Sequence, residues 1–355
     1  MSTFLFVTPT WDGQLWAGEM RKAAPAMNVR VWPEMGDPGT IDYVAAWLPP
    51  PDVVRSLANL KVIFSLGAGV DAILKDPTLP ENVPIVRVND PDLTMRMSEY
   101  VVLHVLMHHR QQRRLDENQR KGVWDSFPTH AASALRVGVM GLGVLGQDAA
   151  RKLALLGFKV AGWSRSPKTV EGVQCFSGAG GLDTFLARSD VLVSLLPATP
   201  ETDGILNRAL IRKLARSGPF GAPVLINAGR GRQQVEDDIL AALDAGELHA
   251  ATLDVFRSEP LPATSPFWTH PKVTLTPHIA ADSDPAVICE YVARQIADYE
   301  ATGKLSNLVD RARDIEGNNR SQKHVLQVTS SRPPHLRGQA AVTEQEAGFP
   351  AHAGC

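Results

Sequence analysis

Residues 136–168 read RVGVMGLGVLGQDAARKLALLGFKVAGWSRSPK, and the rest of the chain is organised around them. The run 137–140 is short, apolar and β-prone, and it leads directly into Gly141-Leu142-Gly143-Val144-Leu145-Gly146. Beyond that turn the apolar period lengthens. Leu145, Ala149, Leu153 and Leu156 recur at helical spacing, Gly157 is placed to stop the helix, and 158–163 reads as a second strand. Strand, glycine turn, helix and strand within about thirty residues make a βαβ unit whose first turn can hold a pyrophosphate. Gly141 permits the tight turn, Gly143 lets the backbone approach the phosphates, and Gly146 lets the helix sit close on the strand. The N–H groups at the helix start then face the anion. Leu142, Val144 and Leu145 belong to the same cradle.

The end of the second strand selects the cofactor. A unit that binds NAD usually carries Asp or Glu there, about twenty residues on, to bond the ribose hydroxyls. This chain has Trp163-Ser164-Arg165-Ser166, with Lys168 just beyond. No carboxylate stands there to repel a 2′-phosphate, Arg165 can bond one in two-pronged fashion, and the serine hydroxyls can assist. An arginine on such a loop is often only a solvated charge. The missing acid together with the added base predicts NADPH rather than NADH.

Composition bounds the alternatives. A chain of 355 residues suits two domains, each with its own core. Hydrophobic content of 44% and charged content of 21% are ordinary for a soluble globular protein, and a net charge of -2 gives no reason to expect nucleic acid or a membrane surface as partner. Three cysteines, Cys175, Cys289 and Cys355, show neither CxxC spacing nor a paired framework, which fits a reducing compartment. The N-terminus MSTFLFVTPTW lacks a basic region and a full apolar run, and no apolar stretch approaches about eighteen residues. The expectation is a cytoplasmic protein.

Before residue 136, strands are expected at 4–8, 29–32, 43–47, 61–66 and 84–88, with helices at 15–23 and 53–58. This alternation predicts a parallel sheet covered by helices. The strand at 61–66 runs into Gly67-Ala68-Gly69, whose amides at a strand's C-terminal end could hold a small carboxylate; the turn serves equally well for chain reversal alone. One long helix is expected from Met97 to about Asn118, followed by the last charges of RQQRRLDENQRK, residues 110–121. With both signs mixed, that run suits a solvated or dimer-facing surface better than a nucleic-acid patch. His104, His108 and His109 lack acidic or cysteine partners at helical spacing and read as packing or surface residues, so no metal is expected. After the βαβ unit, helices near 182–188, 208–216 and 236–245 alternate with strands at 191–195, 224–227, 250–255 and 273–276. The helix at 285–302 then returns to the first domain.

Three of these later strands end in chemistry. Asn227 is followed by Ala228-Gly229-Arg230-Gly231, Val255 by Phe256-Arg257-Ser258-Glu259-Pro260, and Thr276 by Pro277-His278-Ile279-Ala280. Each has an ordinary reading as a turn arginine, a loop acid or a capped histidine. Together they lie at the ligand edge of a sheet that also holds a nicotinamide cofactor. Reduction of a 2-oxo acid needs this set: a guanidinium to bind the carboxylate and polarise the carbonyl, an imidazolium to donate the proton, and a carboxylate to orient and charge that imidazole.

The motifs GLGVLG, WSRS, LLPATPET, NAGRG, LDVFRSEPLP and TPHIAA, in this order, resemble those of the D-isomer-specific 2-hydroxyacid dehydrogenases, and within them the NADPH-dependent glyoxylate/hydroxypyruvate reductases. WLPPP at 47–51, LGAGVD at 66–71 and VDRAR at 309–313 fit that branch too, so the likeness spans about residues 3–313. The resemblance implies two doubly wound parallel-sheet α/β domains. A Rossmann cofactor domain, 99–282, is inserted into a discontinuous flavodoxin-like substrate domain, 1–98 plus 283–313. It also implies a homodimer formed through the cofactor domain. By resemblance Arg230 binds substrate, His278 donates the proton and Glu259 is its partner. Asp254 would bond the nicotinamide carboxamide, Leu196, Pro197 and Ala228 would line the cofactor, Ala68 and Gly69 amides would bind the substrate carboxylate, and Trp47 would line a small pocket.

Two departures stand out: the acidic Asp282-Ser283-Asp284 after the histidine, and residues 314–355, whose polar composition predicts disorder and an extension without function. Two other readings share the triad. An NAD-linked relative such as a 3-phosphoglycerate dehydrogenase would need the missing ribose acid and a regulatory domain. A corepressor-like nucleotide-sensing protein would retain Arg, Glu and His without turnover.

Overall fold

Parallel strands buried on both faces must read as continuous apolar runs, and the central strands of this chain do. In the computed structural model, residues 1–67, 69–74, 76, 78–88, 91–309 and 311 are described. The first sheet comprises β1 (Thr3–Val7), β2 (Asn28–Val31), β3 (Tyr43–Ala46), β4 (Val62–Ser65) and β5 (Ile85–Arg87), in the order β2-β1-β3-β4-β5. All its pairings are parallel. Helices α1 (Gly13–Ala23) and α2 (Asp71–Leu74) belong to this part, and α3 (Pro91–His109) and α4 (Gln112–Lys121) lead out of it.

The second sheet comprises β6 (Arg136–Met140), β7 (Lys159–Ser164), β8 (Gln174–Ser177), β9 (Val191–Ser194), β10 (Val224–Asn227), β11 (Ala250–Leu253) and β12 (Val273–Leu275). Its order is β12-β11-β10-β9-β6-β7-β8, again wholly parallel. Strand order reverses between β6 and β9, the switch point at which doubly wound sheets take their ligands. Helices α5 (Val144–Leu155), α6 (Gly178–Leu186), α7 (Arg208–Lys213) and α8 (Glu236–Asp244) alternate with these strands. The chain therefore has the two doubly wound α/β sheets expected, one of flavodoxin-like and one of Rossmann order.

The last helix, α9 (Pro285–Thr302), buries Ile288, Cys289, Val292 and Ile296 among Phe4, Trp16 and Phe64 of the first sheet's core. Asp284 caps its first turn and Gly303 ends it in the left-handed region. The strand β5 then receives the chain again, with the Arg87 N–H donating to the Asn307 carbonyl and the Val309 N–H to that of Ile85.

Several local expectations need correction. Residues 51–58 form turns rather than a helix. Val54 and Leu57 are nevertheless buried, so the apolar spacing is satisfied without helical hydrogen bonds. The expected single helix from Met97 breaks at Gln111, which adopts φ 53°. The break redirects α4 so that Arg113 donates to the carbonyls of Val273 and Pro271 and to Thr274. Strand β8 lies at the sheet edge, half-buried, and its polar Gln174 and Ser177 concealed it. The three histidines of α3 are all buried: His108 shares a 2.8 Å hydrogen bond with Thr252, and the His109 ring sits edge-on to Phe158. Among the described residues no group of three or more His, Cys, Asp or Glu is placed to hold a metal ion, and no helix is long and apolar enough to cross a membrane. Residues 314–355 lie outside the described residues.

The start of β6 is anchored by Asp190, which is 2% exposed and accepts from the Arg136 backbone N–H (2.9 Å), Nε (2.9 Å) and Nη2 (2.6 Å). Asp190→Ala strips three donors of their acceptor at once. It is expected to lower unfolding free energy by about 3 kcal/mol, measured by urea denaturation; a loss under about 1 kcal/mol would show that water replaces the carboxylate at little cost.

Candidate active site

The glycine turn after β6 is shaped by contacts that tolerate no side chain. Gly141 has φ 108°, and a Cβ on Gly146 would stand 1.9 Å from the Gly141 carbonyl oxygen. Helix α5 can therefore start directly on the strand. Its cap, Gly143, offers no side-chain acceptor to the first amides, and a Cβ there would point into open space. Uncapped amides at the positive end of a twelve-residue helix, with room above the turn, fit the pyrophosphate of a dinucleotide. Leu142 is buried at the turn, Val144 is exposed and Leu145 half-buried.

At the end of β7, Arg165 and Ser166 are exposed and Lys168 half-buried. Ser164 is buried and donates its hydroxyl proton to the Ser166 carbonyl (2.8 Å), so it shapes this turn rather than offering that proton outward. Trp163 donates through Nε1 to the Gly178 carbonyl at 2.9 Å. The loop after β9 lies opposite. Leu196 is buried, and the Pro197 carbonyl accepts from the Thr202 hydroxyl at 2.7 Å. Glu201 is held below the usual carboxylate range by a hydrogen bond with Thr199, then by its own backbone, with the Arg165 charge adding to the effect. Arg165 is thus within electrostatic reach of the loop after β9, and the end of β7 carries the cationic character that a 2′-phosphate requires.

The three chemistry-bearing loops meet at the C-terminal ends of β10, β11 and β12. His278 and Glu259 form a 2.7 Å hydrogen bond between Nδ1 and Oε2. The other carboxylate oxygen of Glu259 accepts from the Phe256 N–H at 2.9 Å. Burial pushes the Glu259 carboxyl up. The hydrogen bonds from His278 and Phe256, with the charges of His278 and Arg230, outweigh burial and hold it below the usual range. Glu259 therefore feels both partners. Arg230 is half-buried and spends one Nη1 bond on the Gly229 carbonyl, 2.8 Å. Gly231 brings its loop against the Glu259 loop, since a Cβ there would lie 1.8 Å from the Phe256 carbonyl oxygen. Ala228 is buried behind Arg230, its N–H bonded to the Ser194 carbonyl.

Asp254 is 1% exposed, and its carboxylate accepts from the Thr276 hydroxyl (2.6 Å), the Ile279 N–H (2.9 Å) and the Ala280 N–H (3.1 Å). The expected role at the nicotinamide is thus joined by another, since both oxygens already hold the loop that carries His278. The His278 N–H also donates to the Asp254 carbonyl, and His278 itself adopts φ 57°. Across from these loops, Trp47 presses its ring against Gly67, where a Cβ would be 2.1 Å from the Trp47 Cζ3, and stacks on Trp11 with centroids 4.9 Å apart. Ser65 donates to the carbonyls of Gly67 and Gly69, which holds that turn at the end of β4. Ala68 lies outside the described residues.

A family model, D-isomer specific 2-hydroxyacid dehydrogenase, NAD binding domain, matches residues 102–280. The chain is 41% identical over 314 residues to glyoxylate/hydroxypyruvate reductase A of Yersinia enterocolitica, covering 87% of this chain and 98% of that one. It belongs to the D-isomer-specific 2-hydroxyacid dehydrogenases. Among solved structures it is similar to the NADPH-dependent glyoxylate/hydroxypyruvate reductase of Sinorhizobium meliloti in complex with NADP and sulfate. The identity there is 47%, the TM-score 0.84, and the coverage 88% of this chain and 99% of that chain. A D-isomer specific 2-hydroxyacid dehydrogenase from Xanthobacter autotrophicus, in complex with NADPH and MES, matches at 38% identity and a TM-score of 0.82, covering 88% and 99%.

In this dehydrogenase, sequence reasoning missed Trp11, Ser65 and the contact that Ser283 makes. Trp11 and Ser65 hold the candidate substrate side, and the Ser283 hydroxyl reaches back to the Leu66 carbonyl at 3.1 Å. None carries a motif signature, because each acts on backbone or ring neighbours distant in sequence. Gly146→Val is expected to weaken NADPH binding at least about tenfold, since the added side chain must displace the Gly141 carbonyl that shapes the turn. Quenching of tryptophan fluorescence by NADPH measures this, and unchanged affinity would place the cofactor elsewhere.

Proposed function

We propose that the chain reduces small 2-oxo acids, glyoxylate and hydroxypyruvate first, to 2-hydroxy acids with NADPH. The hydrogen-bonded His278–Glu259 pair beside Arg230, at the same sheet edge as the glycine turn, is the observation that carries this reading. The names and bound cofactors of the similar proteins support the substrates and the choice of NADPH. The reading divides the chain into a substrate domain, 1–98 plus 283–313, and a cofactor domain, 99–282, with substrate entering between them.

When bound, NADPH supplies a hydride to the substrate's C2. The chain's own residues do the rest. Gly69, in the turn after β4, offers backbone to the substrate carboxylate, and Trp47 limits the space left for the substrate's third carbon. The Arg230 guanidinium binds the carboxylate and draws electron density toward the carbonyl oxygen. The His278 Nδ1 is committed to Glu259, which leaves Nε2–H to give its proton to that oxygen as charge develops there. Glu259, ionised at neutral pH because its carboxyl titrates below the usual range, stabilises the charged imidazole before transfer.

The protein is read as cytoplasmic and homodimeric. The stretch after α4 exposes Val123 and, at 99%, Trp124, apolar surface that a second copy would cover.

Arg230→Ala and His278→Ala are each expected to lower kcat/KM with both acids by about a hundredfold or more. Near-normal turnover in either variant overturns its role. In Glu259→Gln the imidazole loses the carboxylate that orients it, so kcat/KM with both acids is expected to fall about tenfold or more. Near-normal turnover would remove Glu259 from the mechanism. Comparing kcat/KM for NADPH and NADH tests the cofactor assignment, and Arg165→Ala should shrink the preference for NADPH.

A further inference from the structure

Tyr100 and Thr276 adjoin the loop that carries His278. Tyr100 lies on α3, is 8% exposed, and packs its ring 4.2 Å, centroid to centroid, from that of His104. Its hydroxyl is 2.8 Å from the Thr276 Oγ1, which in turn is 2.6 Å from Asp254 Oδ1. A threonine hydroxyl has one proton. Thr276 donates it to the Asp254 carboxylate, so Thr276 must accept from Tyr100. The bonds therefore run one way, from Tyr100 to Thr276 to Asp254. Asp254 in turn takes the Ile279 and Ala280 amides directly after His278, and its own carbonyl takes the His278 N–H. These bonds hold His278 in the left-handed region, φ 57°, which is uncommon for a residue with a side chain.

The far end of the chain of bonds is anchored on the crossover helix. Helix α3 follows directly on the first-sheet part, and its Ser98 donates to Asp148 of α5 at 2.6 Å. In its first turns Arg96 pairs with Asp92 and lies 3.8 Å from Asp284, the cap of α9. The helix thus touches both sheets' layers while Tyr100 reaches the loop of His278.

We propose that Tyr100 and Thr276 are positioning residues for the proton donor, a directed hydrogen-bond chain that fixes the His278 loop to the helix joining the two sheets. This rests on the reading of His278 as proton donor. Loss of the chain leaves Arg230 and the cofactor turn in place but lets the imidazole drift, so turnover suffers while cofactor binding does not.

The test compares Tyr100→Phe, Thr276→Val, Thr276→Ser and the double variant Tyr100→Phe/Thr276→Val in the full chain, with His278→Ala as control. Thr276→Val takes a donor from Asp254 and leaves the buried Tyr100 hydroxyl without its acceptor. It is expected to lower kcat about 20-fold or more, within the range that general acid catalysis supplies. Tyr100→Phe removes only the outermost bond and should lower kcat about 3- to 5-fold. Thr276→Ser keeps the hydroxyl and should restore kcat to within about 3-fold of the parent. The double variant should be no slower than Thr276→Val alone, because the orphaned phenol is gone. The Kd for NADPH, the KM for glyoxylate and the Tm should stay close to the parent values in Tyr100→Phe and Thr276→Ser.

Unchanged kcat in Thr276→Val, or additive losses in the double variant, overturns the chain while leaving the active-site reading intact if His278→Ala is inactive. A matching rise in the NADPH Kd would show that the network serves the cofactor instead. Full activity of His278→Ala overturns both readings together.

Discussion

A single short hydrogen bond between His278 and Glu259, spanning 2.7 Å, sets the requirement that the surrounding loops satisfy. An imidazole that must carry a proton needs a fixed tautomer and a nearby negative charge, and a half-exposed loop supplies neither unaided. The fold meets this by bringing together the ends of three adjacent parallel strands. β10, β11 and β12 are hydrogen-bonded neighbours, so the loops after them are held one strand spacing apart whatever their own sequences prefer. Gly231 closes the remaining gap by letting the Arg230 loop lie on the Phe256 backbone, which itself holds Glu259. Arg230, Glu259 and His278 then sit together, with no metal-ligand cluster among the described residues.

Asp254 illustrates how such a site is made rigid. A buried carboxylate is costly unless its lone pairs are used, and here three donors use them, two of them backbone amides of the histidine loop. The same economy recurs at Asp190, where a buried acid holds the start of β6 through a backbone amide and a guanidinium. In both places an acid that directly flanks a strand, Asp254 after β11 and Asp190 before β9, converts its burial into fixed backbone geometry. On the substrate side the holding is done by packing. Trp16, buried in the core beside Phe6, stacks on Trp11, which stacks on Trp47, and the last ring lies on the Gly67 backbone.

Much of this was legible along the chain. The βαβ unit at 136–168, the loss of the ribose acid and the three strand-end motifs are local features, each written within about thirty residues or fewer. Their meaning follows from glycine sterics, helix-end amides and the chemistry of single side chains. Errors fell where local pattern and tertiary contact compete. The apolar spacing of Val54 and Leu57 suits a helix, yet turns bury both. The helical run through Gln111 is broken because Arg113 gains three acceptors near β12 by turning away. Edge strand β8 is half-buried and polar, so periodicity could not reveal it.

The sequence by itself determined the class of sheet, the dinucleotide turn and which side chains are candidates for the chemistry, since strand-turn-helix spacing and residue chemistry act over short distances. Tertiary structure alone decided which of those side chains touch. The Glu259–His278 bond, the Gly231 approach to Phe256, the Ser283 reach to Leu66 and the Tyr100–Thr276–Asp254 chain join residues from 19 to 217 positions apart. Such pairings depend on strand order and register, which are settled by the burial of whole elements against one another rather than by any residue's immediate neighbours.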